Sequence, residues 1–495
     1  MFSFLISIAV LVLGYILYGA FVDRIFGPDP KRPTPAVSKA DGVDFIVMPT
    51  WKVFMIQFLN IAGTGPIFGA IMGAKFGPSS YLWIVLGCIF AGAVHDYFSG
   101  MLSMRHGGVG EPELVGTYLG QRTKKVMLVF SVLLLLMVGA VFVYSPAVIL
   151  GGLAGDGSRS AVMIWVAAVF AYYVIATLLP IDKIIGKIYP FFAVALLFMA
   201  LSLMVCLFAK WPSLPEIWDG LSGWTEKTGI ADQSIFPCLF ITIACGAISG
   251  FHATQSPLMA RCLSNEKLGR PVFYGSMITE GLVALVWATV ASWVFYDGGA
   301  AEMGIPSSAA APSIVTAVSK HWLGTLGSVL ALLGVVAAPI TSGDTAFRSA
   351  RLIIADFLHL EQKSIARRLY IAVPLFIGSA FLLWYNIADA NGFNIIWRYF
   401  GWSNQTLAVF MLWTATVYLY RRPSASPRRP YYIITLLPAM FMTAVCTTFI
   451  LVDKTGFRLP QTLAPWIGLG TFVVSLLLFV WWARRSAPSQ LVDNQ

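Results

Sequence analysis

Phe58-Leu59-Asn60-Ile61-Ala62-Gly63-Thr64-Gly65-Pro66-Ile67-Phe68-Gly69 falls in the middle of an apolar run near 51–74. Proline lacks an amide donor and clashes with the preceding turn. Glycine weakens a helix and tolerates dihedrals closed to other residues. Gly-Thr-Gly-Pro therefore predicts an unwound centre in a helix long enough to cross a bilayer. Lipid cannot satisfy the freed backbone groups, so they must face protein or a water-filled cavity.

A second stretch repeats the pattern: Ala244-Cys245-Gly246-Ala247-Ile248-Ser249-Gly250-Phe251-His252-Ala253-Thr254-Gln255-Ser256-Pro257. Counting apolar runs of about 20 residues gives about 13 spans. They lie near 2–22, 51–74, 80–103, 125–150, 161–181, 187–209, 235–260, 271–296, 323–346, 368–388, 396–420, 431–452 and 463–483. The two breaks fall in spans 2 and 7, each the first of five. Lys and Arg cluster at 24–52, 105–125, 183–187, 261–270, 348–368, in the Arg pairs 421–422 and 428–429, and at 484–485. Placing these segments in the cytoplasm puts about 25 of the 33 basic residues inside, a strong positive-inside bias. The N-terminus is then periplasmic, the C-terminus cytoplasmic, and 210–234 an external loop. Spans 2 and 7 run in opposite directions. Glycine and proline can also merely kink a membrane helix. Two breaks at matching positions of oppositely oriented halves instead match an inverted-repeat transporter. The expected units are 1–50 (first helix and loop), 51–234 (first repeat and external loop), 235–420 (second repeat) and 421–495 (two last helices and tail).

Composition agrees. Of 495 residues, 58% are hydrophobic and 11% charged, against roughly 25% charged in soluble domains. Such a chain needs lipid as solvent. The net charge of +10 sits in short segments between apolar runs, which fits topology rather than a nucleic-acid face. The six cysteines form no Cys-x-x-Cys pair, so they read as buried, inert thiols. The first 22 residues lack a basic start and exceed a signal-peptide core of about 7–15 residues, so they read as a retained helix.

Polar residues at membrane depth are costly and usually functional. Span 3 carries His95-Asp96, a candidate proton relay or a pair tying it to a neighbour. Span 7 offers Ser249, Gly250, His252 and Gln255, able to bind a substrate carboxylate or to make an interhelical contact. Span 9 presents Thr341, Ser342 and Thr345, hard oxygen donors suited to a hard cation. Asp344 and Arg348 share that helix and can form an i,i+4 ion pair with a structural or gating role. Asn404 and Gln405 in span 11 can line or gate the outer cavity; its aromatic neighbours equally suit an interfacial belt. Glu280 is a further carboxylate in an apolar span whose role stays open.

Ile61-Ala62-Gly63-Thr64-Gly65-Pro66-Ile67, Gly92-Ala93-Val94-His95-Asp96-Tyr97, Pro339 through Arg348, and Gly401-Trp402-Ser403-Asn404-Gln405 together resemble the carbon starvation protein A (CstA) family. The matches are spread over about 350 residues in the right order. That resemblance implies uptake of peptides or pyruvate during nutrient limitation, by proton symport in some members, on the amino acid–polyamine–cation (LeuT-like) fold. It also implies a cation site between Ala62 and Gly63 of span 2 and Thr341, Ser342 and Thr345 of span 9, with substrate between the two breaks.

The expected protein is thus an all-α, polytopic bacterial inner-membrane transporter with a 5+5 inverted repeat and two discontinuous helices. It would import a small carboxylate or short peptide by alternating access. Half-helix N-termini at Gly63–Pro66 and Ser249–His252 would direct positive dipole ends at a carboxylate. H⁺ carried by His95, Asp96 and His252, or Na⁺ on span 9, would couple. No cofactor is expected, and no partner beyond the substrate and the bilayer. An intramembrane zinc protease would need His-Glu-x-x-His, which is absent. Ser342-Gly343-Asp344 is similar to an aspartyl protease motif but lacks a matching second Asp. A transporter-fold sensor without flux is the remaining alternative.

Overall fold

The computed structural model describes residues 1–485 apart from 43, 155–157, 179–180, 359, 361–364, 389–391 and 423–429. Among the basic residues that set the expected orientation, Lys363, Arg428 and Arg429 lie outside the described residues.

Apolar runs became helices, and the described residues contain no strand. In chain order they are α1 (Phe2–Phe26), α2 (Thr50–Ala62), α3 (Gly65–Phe76) and α4 (Ser79–Arg105). A short α5 (Glu111–Leu119) precedes α6 (Gln121–Ala154), α7 (Arg159–Leu178) and α8 (Ile181–Lys210). The second half holds α9 (Phe251–Ala260), α10 (Glu266–Tyr296), α11 (Ala311–Phe357), α12 (Ile365–Ala388), α13 (Gly392–Arg421), α14 (Ile433–Val452) and α15 (Ala464–Arg485).

Ten helices among the described residues are long and apolar enough to cross a membrane, or eleven when the bent pair α2–α3 counts as one span. Two further expected spans do not meet that test. One is α13, which is 30 residues long. The other is the broken segment leading into α9. The bilayer is needed because the rim is apolar. On α8, Phe191, Val194, Phe198, Leu201 and Val205 are exposed at helical spacing, as are Leu469, Val473, Leu477 and Trp481 on α15. A face of that extent exceeds what a water-soluble monomer displays.

Both expected breaks are real. α2 stops at Ala62, and α3 leaves at 53° to it. The hinge is Gly63, at φ 47 and ψ −138, a conformation nearly closed to residues with a side chain. A Cβ there would also lie 2.9 Å from the Phe142 ring. Gly63→Ala is therefore expected to cost about 1–3 kcal/mol from backbone strain. Thermal unfolding of the detergent-solubilised variant checks this, and a melting point equal to the parent's would sink it. The second break is longer. Helix ends at Thr242, residues 243–250 are irregular, and α9 begins at Phe251.

Candidate functional site at the two helix breaks

The breaks lie against each other. A Cβ on Gly65 would sit 2.2 Å from the Cys245 Cβ, and the Cα of Pro66 is 3.6 Å from where a Gly246 Cβ would be. α4 closes in from the side: a Cβ on Gly92 would meet the Ala247 carbonyl oxygen at 2.1 Å. Only glycines allow this convergence, so the local sequences that break the helices also let the breaks touch.

Packed against the second break is a chain of buried ionisable groups. The Asp96 carboxylate on α4 meets two imidazoles, His95 Nδ1 at 2.8 Å and His252 Nδ1 at 2.9 Å. The other nitrogen of His252 lies 3.4 Å from Glu280 on α10. All four side chains are fully buried. Donor atoms of Cys245, His252 and Glu280 lie within 4.8 Å of one another. Three helices thus contribute to one cluster. Two carboxylates and two imidazoles are electrically neutral only with two protons beyond the fully deprotonated state. In a membrane interior any other count leaves a buried net charge.

Sequence reading found His95, Asp96 and His252 but not their convergence, nor Glu280 as the fourth member. Glu280 carried the right signal, a carboxylate inside an apolar span, but nothing local shows which helix faces it. Cys245, read as inert, lies at the same point.

Several polar atoms around the breaks are buried without a hydrogen-bond partner. They include both amide atoms of Asn60, Thr64 Oγ1, Gln255 Oε1, Ser99 Oγ and His95 Nε2. Buried polar groups are normally paired, so these are atoms that water, an ion or a substrate can satisfy. Asn60, one turn before the first break, was not singled out from the sequence.

The expected substrate residues of α13 serve α9. Asn404 Oδ1 accepts from the Phe251 amide at 2.7 Å and from Ser249 Oγ at 3.1 Å, while its carbonyl accepts from the Gly250 amide at 3.1 Å. Gln405 donates to the Phe240 carbonyl at 3.0 Å. Both hold the second break in shape. The turn before them, Trp397, Arg398 and Tyr399, lines a cavity.

Among the candidate cation ligands, Ser342 on α11 meets the first break, donating to Asn60 O at 3.0 Å and Leu59 O at 3.3 Å. Its Oγ lies 3.5 Å from the Cβ position of Gly63, the residue after Ala62. Thr341 and Thr345 donate to carbonyls of their own helix. All three hydroxyl protons are committed, leaving oxygen lone pairs for a cation. Asp344 accepts from Tyr189 at 3.0 Å and lies 3.9 Å from Arg348, an arrangement that fixes α11 against α8. Arg348 also reaches the Ala176 carbonyl of α7 at 3.1 Å.

The family sequence model described as carbon starvation protein CstA matches residues 1–161, 157–324 and 308–449. The chain belongs to the CstA family. Among its relatives is an uncharacterized membrane protein of Haemophilus influenzae, 45% identical over 342 residues, covering 60% of this chain and 92% of that one. Two Escherichia coli relatives are each 24% identical. The peptide transporter CstA aligns over 89% of this chain and 79% of its own. The pyruvate/proton symporter BtsT aligns over 92% and 81%. In fold, this CstA-family chain is similar to a manganese transporter of Eremococcus coleocola, with TM-score 0.56 and 13% identity over 90% of this chain and 99% of that one.

Proposed function

We propose that this protein is a secondary active transporter that imports a small carboxylate of the pyruvate kind, or a short peptide, across the bacterial inner membrane. Its N-terminus would be periplasmic. The observation that carries this reading is the meeting of two broken helices beside a buried cluster of two carboxylates and two imidazoles. The family membership and the transporter fold support it. Substrate would lie between the breaks, against Gly63, Thr64, Gly65, Pro66, Ser249, Gly250, His252 and Gln255, with Asn404 and Gln405 at the edge. A proton held by the His95–Asp96–His252–Glu280 cluster would couple. The five-helix groups on either side, as inverted repeats, would rock about the breaks. Thr341, Ser342 and Thr345, with Ala62 and Gly63, form the alternative Na⁺ site.

Uptake of labelled pyruvate and of dialanine into proteoliposomes, under an imposed proton or sodium gradient, tests this. The expected result is accumulation of one of them above equilibrium under a proton gradient. Accumulation only under sodium would move coupling to α11. No accumulation of either under either gradient would remove the symport reading.

A further inference from the structure

A cavity of about 690 Å³ opens at the ends of α3, α13 and α14, the face that the charge distribution assigns to the outside. Ile241 and Thr242, the last residues before the second break, also line it. Its charged lining is one-sided. It holds four cations, Lys75, Arg398, Lys454 and Arg458, and one acid, Asp453. Arg398 is neutralised by Asp453 at 2.8 Å, and Lys454 by Asp232 at 2.7 Å.

Lys75 is different. It is only 6% exposed, and its ammonium has no hydrogen bond or acidic partner among the described residues. The Phe295 ring lies 5.2 Å from it. Its backbone is pinned, with Thr228 and Tyr296 hydroxyls donating to the Lys75 carbonyl at 2.9 and 3.0 Å. An ammonium largely shielded from bulk water and without an acidic partner is stabilised by an anion that enters the cavity beside it. A focused positive field at a cavity mouth also raises the local concentration of anions.

We infer that Lys75 forms an outer binding site for a small organic carboxylate, occupied before the substrate reaches the breaks. This rests on the transporter reading and narrows its substrate class to a net anion.

Equilibrium binding of labelled pyruvate, acetate and lactate to the purified full-length protein tests it, with ethyl pyruvate as the uncharged analogue. Losing one charge-assisted contact predicts a Kd raised by about tenfold or more in Lys75→Gln. Lys75→Arg should keep the affinity, and ethyl pyruvate should bind far more weakly. Mass spectrometry of wild-type protein treated with an amine-reactive reagent needs no variant. Pyruvate should protect Lys75 and leave Lys227 labelled. Binding unchanged in Lys75→Gln, equal binding of the ester, no binding of any of the three carboxylates, or no protection of Lys75 would each overturn the site. Binding needs no flux, so the two readings fail separately. Anion binding without gradient-driven uptake would remove the symport reading alone. Driven uptake with unaltered kinetics in Lys75→Gln would remove only the outer site.

Discussion

Glu280→Gln is expected to uncouple uptake from the proton gradient while leaving exchange intact. Glu280 is fully buried, 3.4 Å from His252, and neither of its oxygens has a conventional hydrogen-bond donor. Glutamine keeps the shape but cannot exchange a proton. Accumulation driven by a pH difference should then fall to the level of counterflow at equal pH, and counterflow itself should persist. Wild-type accumulation in Glu280→Gln would refute the role. Asp96 sits deeper in the network, facing two imidazoles. Asp96→Ala leaves buried groups uncompensated, at about 3–5 kcal/mol, so it should lower thermal stability as well as abolish uptake. Asp96→Asn keeps the volume and separates the two effects.

The second large effect concerns the touching breaks. Gly65→Ala places a methyl 2.2 Å from the Cys245 Cβ and 2.4 Å from its sulfur. Overpacking of this kind costs about 1–3 kcal/mol, and here it forces apart the two segments that must stay together. Transport by Gly65→Ala should be lost. Cys245→Gly in the same chain removes the opposing Cβ and should restore a measurable part. Full activity in the single variant, or no recovery in the double, would show that the contact does not matter.

Much of this was legible in the sequence because the signals were local. Gly63-Thr64-Gly65-Pro66 breaks a helix by its own chemistry, and the structure bends there by 53°. The span at 235–260 reads the same way, though its irregular stretch, 243–250, is longer than glycine and serine alone implied. What could not be read were contacts between distant segments. Asp96 and His252 are 156 residues apart, and no periodicity within either helix says they meet. The partner of Glu280, and the place of Lys75, could not be read for the same reason, since a lone ionisable residue declares its cost but not its neighbours. Asn404 was legible as polar at membrane depth, but its bonding to the start of α9 depends on how α13 lies across Gly250.

That bonding has a kinetic side. A helix that begins in the membrane offers free amides, and the amide of Phe251 is where an incoming carboxylate would be drawn. Asn404 already occupies it at 2.7 Å. A carboxylate would reach that amide only by displacing the Asn404 side chain, which would cost its bonds to Phe251 and Ser249 and leave the main-chain bond to Gly250. If the cargo is a carboxylate, as proposed above, the Asn404 side chain would be its stand-in, and arrival of the cargo would coincide with release of that contact. A ligand without a carboxylate would leave that contact in place.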